Sequence, residues 1–157
     1  MSSTVRQCAR EILETVPLVM RFIRDQVRQR RTAGLSLPQF RTLVFLNRTK
    51  NSSLSAVAEH LGLSLPAMSR LVNGLVGHQL VARQTVAMNR RQIALTLTDR
   101  GRATLEKVRE EIRLHLAGTL KNLPAAEQKA VQRTMRVLRN VFGDQAAAGC
   151  PPIKTKP

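Results

Sequence analysis

Apolar residues recur every three or four positions along most of this chain, which is the spacing of an amphipathic helix. The pattern predicts five helices, over residues 4–31, 54–61, 65–78, 99–121 and about 124–142. A sixth begins after Ser36, which forms a capping-box pattern with Gln39, and runs to about Lys50. Pro17 lies inside the first helix and predicts a kink or break near Thr15, because proline removes a backbone donor and crowds the preceding turn.

The periodicity changes to alternation between residues 80 and 98. Apolar residues alternate with polar or small ones in both halves of this segment, which predicts two strands. The tip between them is polar and basic, so we predict a β-hairpin over residues 80–98. Residues 51–53 are predicted to form a turn. Residues 144–157, which are rich in alanine and contain prolines, are predicted to form a disordered tail.

The charge of the chain points to a polyanionic partner. Its 157 residues include 26 Lys and Arg against 10 Asp and Glu, a net charge of +16. Between Asp25 and Asp99 the only acidic residue is Glu59. There is no Trp or Tyr, which argues against single-stranded nucleic acid because aromatic stacking usually holds its bases. Double-stranded DNA is therefore favoured over an anionic membrane, for which no helix pairs a basic face with a bulky aromatic one.

Residues that would carry other chemistry are scattered or too few. No apolar run approaches the ~20 residues that cross a membrane, and the N-terminus has no apolar signal core. Cys8 and Cys150 do not suffice for a disulfide framework or a four-cysteine zinc site, and the three histidines lack ligand spacing. No nucleophile–base arrangement or glycine-rich phosphate loop occurs. We therefore expect a cytoplasmic, nucleoid-associated protein that is not an enzyme and has no metal, cofactor or membrane span.

Residues 54–73 have the pattern of a helix-turn-helix. Two helices that cross closely need a small residue in the first one, and Ala58 is there. The tight turn needs a residue that tolerates positive φ, and Gly62 follows four positions later. The apolar residues that would supply the shared interior are Val57, Leu61, Leu63, Met68 and Leu71. An ordinary helical hairpin with a glycine turn is the alternative, but the basic hairpin that follows directly favours a winged helix.

A winged helix places its second helix in the major groove and its hairpin against the flanking backbone or minor groove. We therefore predict that residues 65–78 form the recognition helix and residues 80–98 the wing. Arg70 suits a guanine or a phosphate, a solvated surface position being its alternative role, and Asn73 suits adenine. Four other recognition-helix residues are predicted to face DNA: Ser64, Pro66, Ala67 and Ser69. Two serines are candidates both for capping the preceding helix and for touching phosphate, with capping the favoured role: Ser53 and Ser55.

In this order of elements the chain resembles the MarR (multiple antibiotic resistance regulator) family of transcription factors over residues 4–142. The resemblance is carried by residues 37–43, 54–62, 68–72, 74–75, 89–91 and 97–101. The helix-turn-helix part is shared by many regulators. The wing tip followed by a Leu-Thr-x-x-Gly segment, here Leu97 to Gly101, is more specific to this family.

The resemblance implies a mainly α homodimer that binds a near-palindromic operator on double-stranded DNA as a repressor. Residues 1–35 and 99–143 would form a helical dimerisation domain, and residues 36–98 the winged helix-turn-helix. The helical apolar stripes agree with this dimer, because those outside residues 36–98 need a partner surface. Two recognition helices related by a two-fold axis would then lie about one turn of DNA apart.

The resemblance also assigns residues of the wing. The family has an Asp-x-Arg element there, whose arginine enters the minor groove and whose aspartate orients it. Carried over, Arg91 is the inserting residue with Arg90 beside it, and Asn89 stands in place of the aspartate. Two further departures are Gln79, where the family usually has glycine at the turn into the wing, and Gly74, where a charged residue is common.

Two kinds of signal are expected from relatives of this type. Many release DNA when a small aromatic or phenolic anion binds between the dimer helices and the winged helix. Candidates to line such a pocket are Arg21, Arg24 and Arg41, although exposed surface charge is their favoured interpretation. Others sense peroxide through a cysteine near the start of the first helix, where Cys8 lies. Because Cys8 falls on the apolar stripe, buried packing is its favoured role.

The sequence thus predicts a homodimeric, sequence-specific DNA-binding regulator of the MarR type with an unknown small-molecule effector. One alternative is a basic architectural protein that coats duplex DNA with little sequence preference. A second is a regulator that switches through oxidation of Cys8.

Overall fold

The computed structural model describes the backbone of residues 2–29, 34–86 and 89–148, and the side chains in these ranges except at 86, 89–92 and 144–148. The described elements, in chain order, are α1 (Ser3–Gln29), α2 (Leu37–Arg48), β1 (Ser52–Ser53), α3 (Leu54–Leu61), α4 (Leu65–Gly77), β2 (Val81–Val86), β3 (Asn89–Leu97), α5 (Asp99–Leu120) and α6 (Ala125–Ala148). The predicted mainly α winged helix is confirmed.

Helix α1 runs without interruption through Pro17, so the break predicted near Thr15 is wrong. Proline at this position removes only the hydrogen bond to the carbonyl of Leu13. The hydrogen bonds on either side of this one hold the 27-residue helix together. The capping box before α2 is present: the Gln39 amide donates to Ser36 Oγ, and the Ser36 amide donates to Gln39 Oε1.

The wing belongs to a three-stranded antiparallel sheet in the order β1-β3-β2. Strand β1 pairs Ser52 with Leu95 and Ser53 with Ala94, so the prediction of a turn at these two serines is wrong. Two residues are too short for alternation to mark a strand. The buried Ser52 also satisfies its own hydroxyl by donating to the carbonyl of Thr49.

Helix α6 extends to Ala148, five residues into the segment predicted to be a disordered tail from residue 144. The alanines of residues 146–148 explain the extension, because alanine has the highest helix propensity. The rest of the predicted tail, residues 149–157 with Cys150, lies outside the described residues.

The hydrophobic core lies inside the winged helix and continues into α5. Seven large apolar side chains on α2, α3, α4, β3 and α5 are at most 1% exposed: Leu43, Val57, Met68, Val72, Leu75, Leu95 and Leu105. Helix α1 adds Val27 at its C-terminal end, and α5 adds Ile112. This core fixes the orientation of α4 relative to the sheet.

A tight joint connects the end of α4 to the start of α5; we call Gln79, Leu80, Thr98 and Gly101 the α4–α5 joint. The Thr98 amide donates to the Leu80 carbonyl over 3.2 Å, and its hydroxyl donates to the Gln79 carbonyl over 2.6 Å. The same hydroxyl oxygen caps α5 by accepting from the Gly101 amide. A Cβ at Gly101 would lie 2.0 Å from the Leu80 carbonyl oxygen, so this position has room only for glycine.

The turn into the wing is built without glycine. Gln79 has φ of 59°, in the left-handed region. The amides of Leu80 and Gln79 donate to the carbonyls of Leu75 and Val76, which is the hydrogen-bond pattern of a Schellman motif. Leu80 and Leu75 are both buried, which supplies the apolar contact that accompanies the motif. Gln79 therefore adopts the strained conformation that glycine would adopt freely.

We expect Gln79→Gly to raise the free energy of unfolding by about 0.5–1 kcal/mol, because relief of the left-handed strain exceeds the extra chain entropy of glycine. Gln79→Ala is the matched control, since it removes the same side chain but keeps the strain. Urea denaturation of both variants at one protein concentration measures the difference. A Gln79→Gly chain no more stable than Gln79→Ala would contradict the strain.

Large apolar side chains remain exposed on the two terminal helices. We call this set the apolar flank: Val5, Leu13, Val16, Leu18, Val19 and Met20 on α1, and Val131, Met135, Val137, Val141 and Phe142 on α6. None of the residues 125–143 of α6 is buried. No helix in the described ranges is long and apolar enough to cross a membrane.

Candidate nucleic-acid interface

Helices α3 and α4 form the predicted helix-turn-helix. Ser53 caps α3 by accepting from the Ala56 amide over 3.1 Å, and its hydroxyl also lies 3.0 Å from that of Ser55. Gly62 ends α3 with φ of 68°, the left-handed conformation that the tight turn requires. Ala58 is 3% exposed, consistent with a small residue being needed where the helices cross. These contacts set the angle at which α4 leaves the turn.

One side of α4 is buried in the hydrophobic core, and the other side, which we call its open side, faces away from the core. Met68, Val72 and Leu75 are fully buried. The residues predicted to face DNA lie on the open side: Ser64, Pro66, Arg70 and Asn73 are exposed, and Ala67 and Ser69 are half-buried. Contact of these residues with DNA stays a prediction, but none of them is used by the core.

Arg70 makes no hydrogen bond or ion pair with any described residue, so its guanidinium is available to an external partner. Ser64 caps α4, because the Ala67 amide donates to its hydroxyl oxygen. Leu65, the first residue of α4, is 53% exposed and was not predicted from the sequence as part of this surface. By spacing, Leu65 continues the stripe of Met68, Val72 and Leu75, so periodicity gives no signal of its exposure.

Asn73 is tied to the wing by Arg83, a second residue that the sequence does not single out. The Arg83 Nη2 donates to Asn73 Oδ1 over 2.6 Å, across ten residues of sequence, and both side chains are exposed. Arg83 lies in β2, paired with Leu95 of β3. The contact predicted between Asn73 and adenine would therefore have to form with Asn73 Oδ1 already bonded to Arg83.

The predicted wing-tip residues Asn89, Arg90 and Arg91 form the start of β3, and Asn89 pairs with Val86 beyond an irregularity in the register at Thr85. Their side chains lie outside the described residues. The minor-groove role of the tip stays a prediction.

The positive charge of the winged helix is not balanced within it. Residues 36–98 contain seven Lys and Arg against the single acid Glu59, a formal charge of +6. The ion pairs among the described residues lie elsewhere: Arg10–Glu14 on α1, and Asp99–Arg102, Glu106–Arg109 and Glu110–Arg113 on α5. The surface around α4 therefore attracts anions.

His60 at the end of α3 stacks on Phe45, with ring centroids 4.5 Å apart. Burial lowers the pKa of His60 below 6.5, and the positive charges of Arg41 and Arg48 lower this pKa further. Neutral imidazole is thus favoured in the folded chain. Its stabilising contribution is fully present above pH 6.5 and is lost as the pH falls through the folded-state pKa.

We expect the folded chain to lose stability on acidification below pH 6.5, and His60→Gln to lose less over the same range, because glutamine does not titrate. The effect should be small, since burial removes His60 only partly from water. An NMR titration of the His60 ring checks the assignment. A midpoint at or above 6.5 would contradict it.

The effector-binding role proposed for three arginines stays a prediction. Arg21, Arg24 and Arg41 are exposed, in agreement with their favoured interpretation. A cavity of about 240 Å³ near the start of α5 has other lining residues: Gly34, Leu35, His78, Leu80, Arg100, Thr104 and Lys107. No group of three or more potential metal ligands occurs among the described residues.

Cys8 is exposed in the single chain, and the packing role predicted for it stays a prediction. Cys8 lies beside the apolar flank of α1, for instance Val5, and none of the described elements covers that part of the helix. The redox role of Cys8 stays a prediction.

Comparison with known proteins places this fold in a family. The sequence profile of the MarR family matches residues 33–92. The HTH-type transcriptional repressor Rv2887 of Mycobacterium tuberculosis is 30% identical over 105 residues, which cover 67% of this chain and 76% of the repressor.

Solved structures agree. The crystal structure of RV1404 from Mycobacterium tuberculosis has a TM-score of 0.70 at 27% identity, covering 98% of this chain and 100% of that one. The transcriptional repressor CouR, bound to a 23-mer DNA duplex, has the same fold with a TM-score of 0.60 at 23% identity, covering 82% of this chain and 94% of that one. This protein therefore belongs to the MarR family, and it is a winged-helix transcriptional regulator rather than an enzyme.

Proposed function

We propose that the protein is a homodimeric repressor that binds a near-palindromic site on double-stranded DNA. In this proposal α4 enters the major groove and the β2–β3 wing reaches the minor groove. The observation that carries it is the open side of α4, where Arg70 has no partner among the described residues. The charge of +6 on residues 36–98 supports the same surface.

The apolar flank supports the dimer. Met135 and Phe142 of α6 are 48% and 50% exposed, and Leu13 of α1 is 76% exposed. Exposed apolar residues over residues 5–20 of α1 and 131–142 of α6 indicate an interface, since monomeric proteins rarely expose large apolar patches. We assign residues 1–35 and 99–143 to the dimerisation domain and residues 36–98 to DNA binding.

A two-fold dimer supports a symmetric operator. It presents two copies of α4, so half-sites are expected about one helical turn apart, or a multiple of it. Rv2887 is a repressor, and CouR is a repressor bound to duplex DNA, which favours repression here too.

Selection of binding sites from a random duplex library at about physiological salt tests the proposal, because non-specific phosphate contacts weaken there. Enrichment of a two-fold symmetric motif is the expected result. Tight binding at low salt with no enriched motif would instead favour the architectural alternative, which the net charge of +16 also permits.

Two arginines should separate base reading from phosphate attraction. Arg70→Ala is expected to relax the preference at one base pair of each half-site, with a loss of about 1–3 kcal/mol on the preferred sequence. Arg91→Ala is expected to weaken binding to all sequences and to reduce the slope of log affinity against log salt by about 1. Titration of one operator and one scrambled duplex at several salt concentrations measures both. Equal losses by Arg70→Ala on both duplexes would refute its base-reading role.

A further inference from the structure

The bond between Arg83 and Asn73 fixes which way the Asn73 amide is turned. A guanidinium has only donors, so it bonds the oxygen of an amide and not the nitrogen. With Oδ1 of Asn73 held by Arg83 Nη2 over 2.6 Å, Nδ2 is on the other side of the amide group. One lone pair of Oδ1 is thus engaged by a cation, and the two N–H donors of Nδ2 are presented to an external partner.

The residues at both ends of this bond lie next to buried core residues. Asn73 lies between Val72 and the next buried residue of α4, Leu75, both of which are 0% exposed. Arg83 is in β2 opposite Leu95, which is 1% exposed. The bond is also charge-assisted, which strengthens it. Arg83 makes no ion pair with a described acid, so none competes for its guanidinium.

The orientation of the amide decides which base it suits. An asparagine reads adenine with both of its groups, accepting from N6 and donating to N7. Guanine presents two acceptors in the major groove, O6 and N7, and needs donors only. An amide whose oxygen is already engaged fits guanine better than adenine.

Resting on the proposed function, we propose that Arg83 is a specificity-determining residue that acts through Asn73. By holding Oδ1, it makes Asn73 a donor that selects guanine over adenine at one base pair of each half-site. Arg83 is thus a positioning residue, and the base contact itself belongs to Asn73.

The test is site selection and affinity measurement with the full-length wild type, Arg83→Met, Asn73→Ala and the double variant. Methionine keeps an unbranched apolar stem of similar shape but cannot hold the amide. Arg48→Met is the matched control, because it removes one exposed arginine of the same domain without touching Asn73. Each protein is titrated with two duplexes that differ only in guanine or adenine at the base pair affected by Asn73→Ala.

We expect the wild type and Arg48→Met to prefer guanine at that base pair by about fivefold or more, the low end for one good base contact. Arg83→Met should shift the preference to adenine, Asn73→Ala should remove it, and the double variant should match Asn73→Ala. Uniform weakening by Arg83→Met with a reduced salt slope and an unchanged preference would show a phosphate contact and overturn the inference alone. A wild type that enriches no motif at all would overturn the proposed function as well.

Discussion

Gly101→Ala is expected to lower the free energy of unfolding by about 3–5 kcal/mol, more than the usual ~1–3 kcal/mol for an overpacked core. The added Cβ would lie 2.0 Å from the Leu80 carbonyl oxygen, a distance that real Cβ atoms essentially never show. The obstacle is backbone and cannot rotate away. Relief requires α5 to move, which breaks the two hydrogen bonds from Thr98 to Gln79 and Leu80.

Gly74→Ala is the matched control, since it adds the same methyl group to another helical glycine. Its Cβ would lie 3.6 Å from Gln39 Nε2, an ordinary contact, so a gain of about 0.5–1 kcal/mol from helix propensity is expected. Urea denaturation at one protein concentration compares the two variants with the wild type. A Gly101→Ala chain within about 1 kcal/mol of the wild type would show that α5 is not held against the Leu80 carbonyl.

Met135→Glu is expected to convert the proposed dimer into monomers and to weaken operator binding by about a hundredfold or more, because two linked half-site contacts become one. Met135 is 48% exposed in the single chain, so glutamate there does not disturb the winged-helix core. In an apolar interface, by contrast, it buries an unpaired charge. Sedimentation velocity gives the mass, and titration of the selected operator gives the affinity.

Asn140→Glu makes the same change of charge on the opposite side of α6, at another exposed position. This control should keep the dimer and most of the affinity. A Met135→Glu chain that stays dimeric would contradict the placement of this part of α6 in the interface. Far-UV circular dichroism of both variants verifies that the helices are intact.

The helices could be predicted from the sequence because each carries a long apolar stripe, and Ser36, Ser64 and Thr98 mark where α2, α4 and α5 begin. The features that escaped prediction depend on contacts far along the chain. Strand β1 exists only because β3 offers it a partner. Helix α1 continues through Pro17 because the hydrogen bonds on either side hold it together, which periodicity does not reveal.

The open side of α4 could be predicted, because the apolar residues of this helix identify its buried side. The hydrogen bond from Arg83 to Asn73 could not be predicted from the sequence. The distance between these side chains depends on the Schellman turn at Gln79 and on the register of β2 against β3. Cys8 illustrates what apolar periodicity leaves open. Its apolar neighbours predicted burial, but periodicity does not say whether the surface that covers them belongs to the same chain.

The α4–α5 joint couples the orientation of α4 to that of α5. Helix α5 has 22 residues and is about 33 Å long, so a tilt of about 5° displaces one end by about 3 Å relative to the other. Because the joint resists bending at Thr98 and Gly101, such a tilt carries α4 with it. In the proposed dimer, the packing of the far ends of α5 and α6 then sets the distance between the two recognition helices. The half-site spacing that the protein accepts is therefore determined outside the DNA-binding domain, residues 36–98.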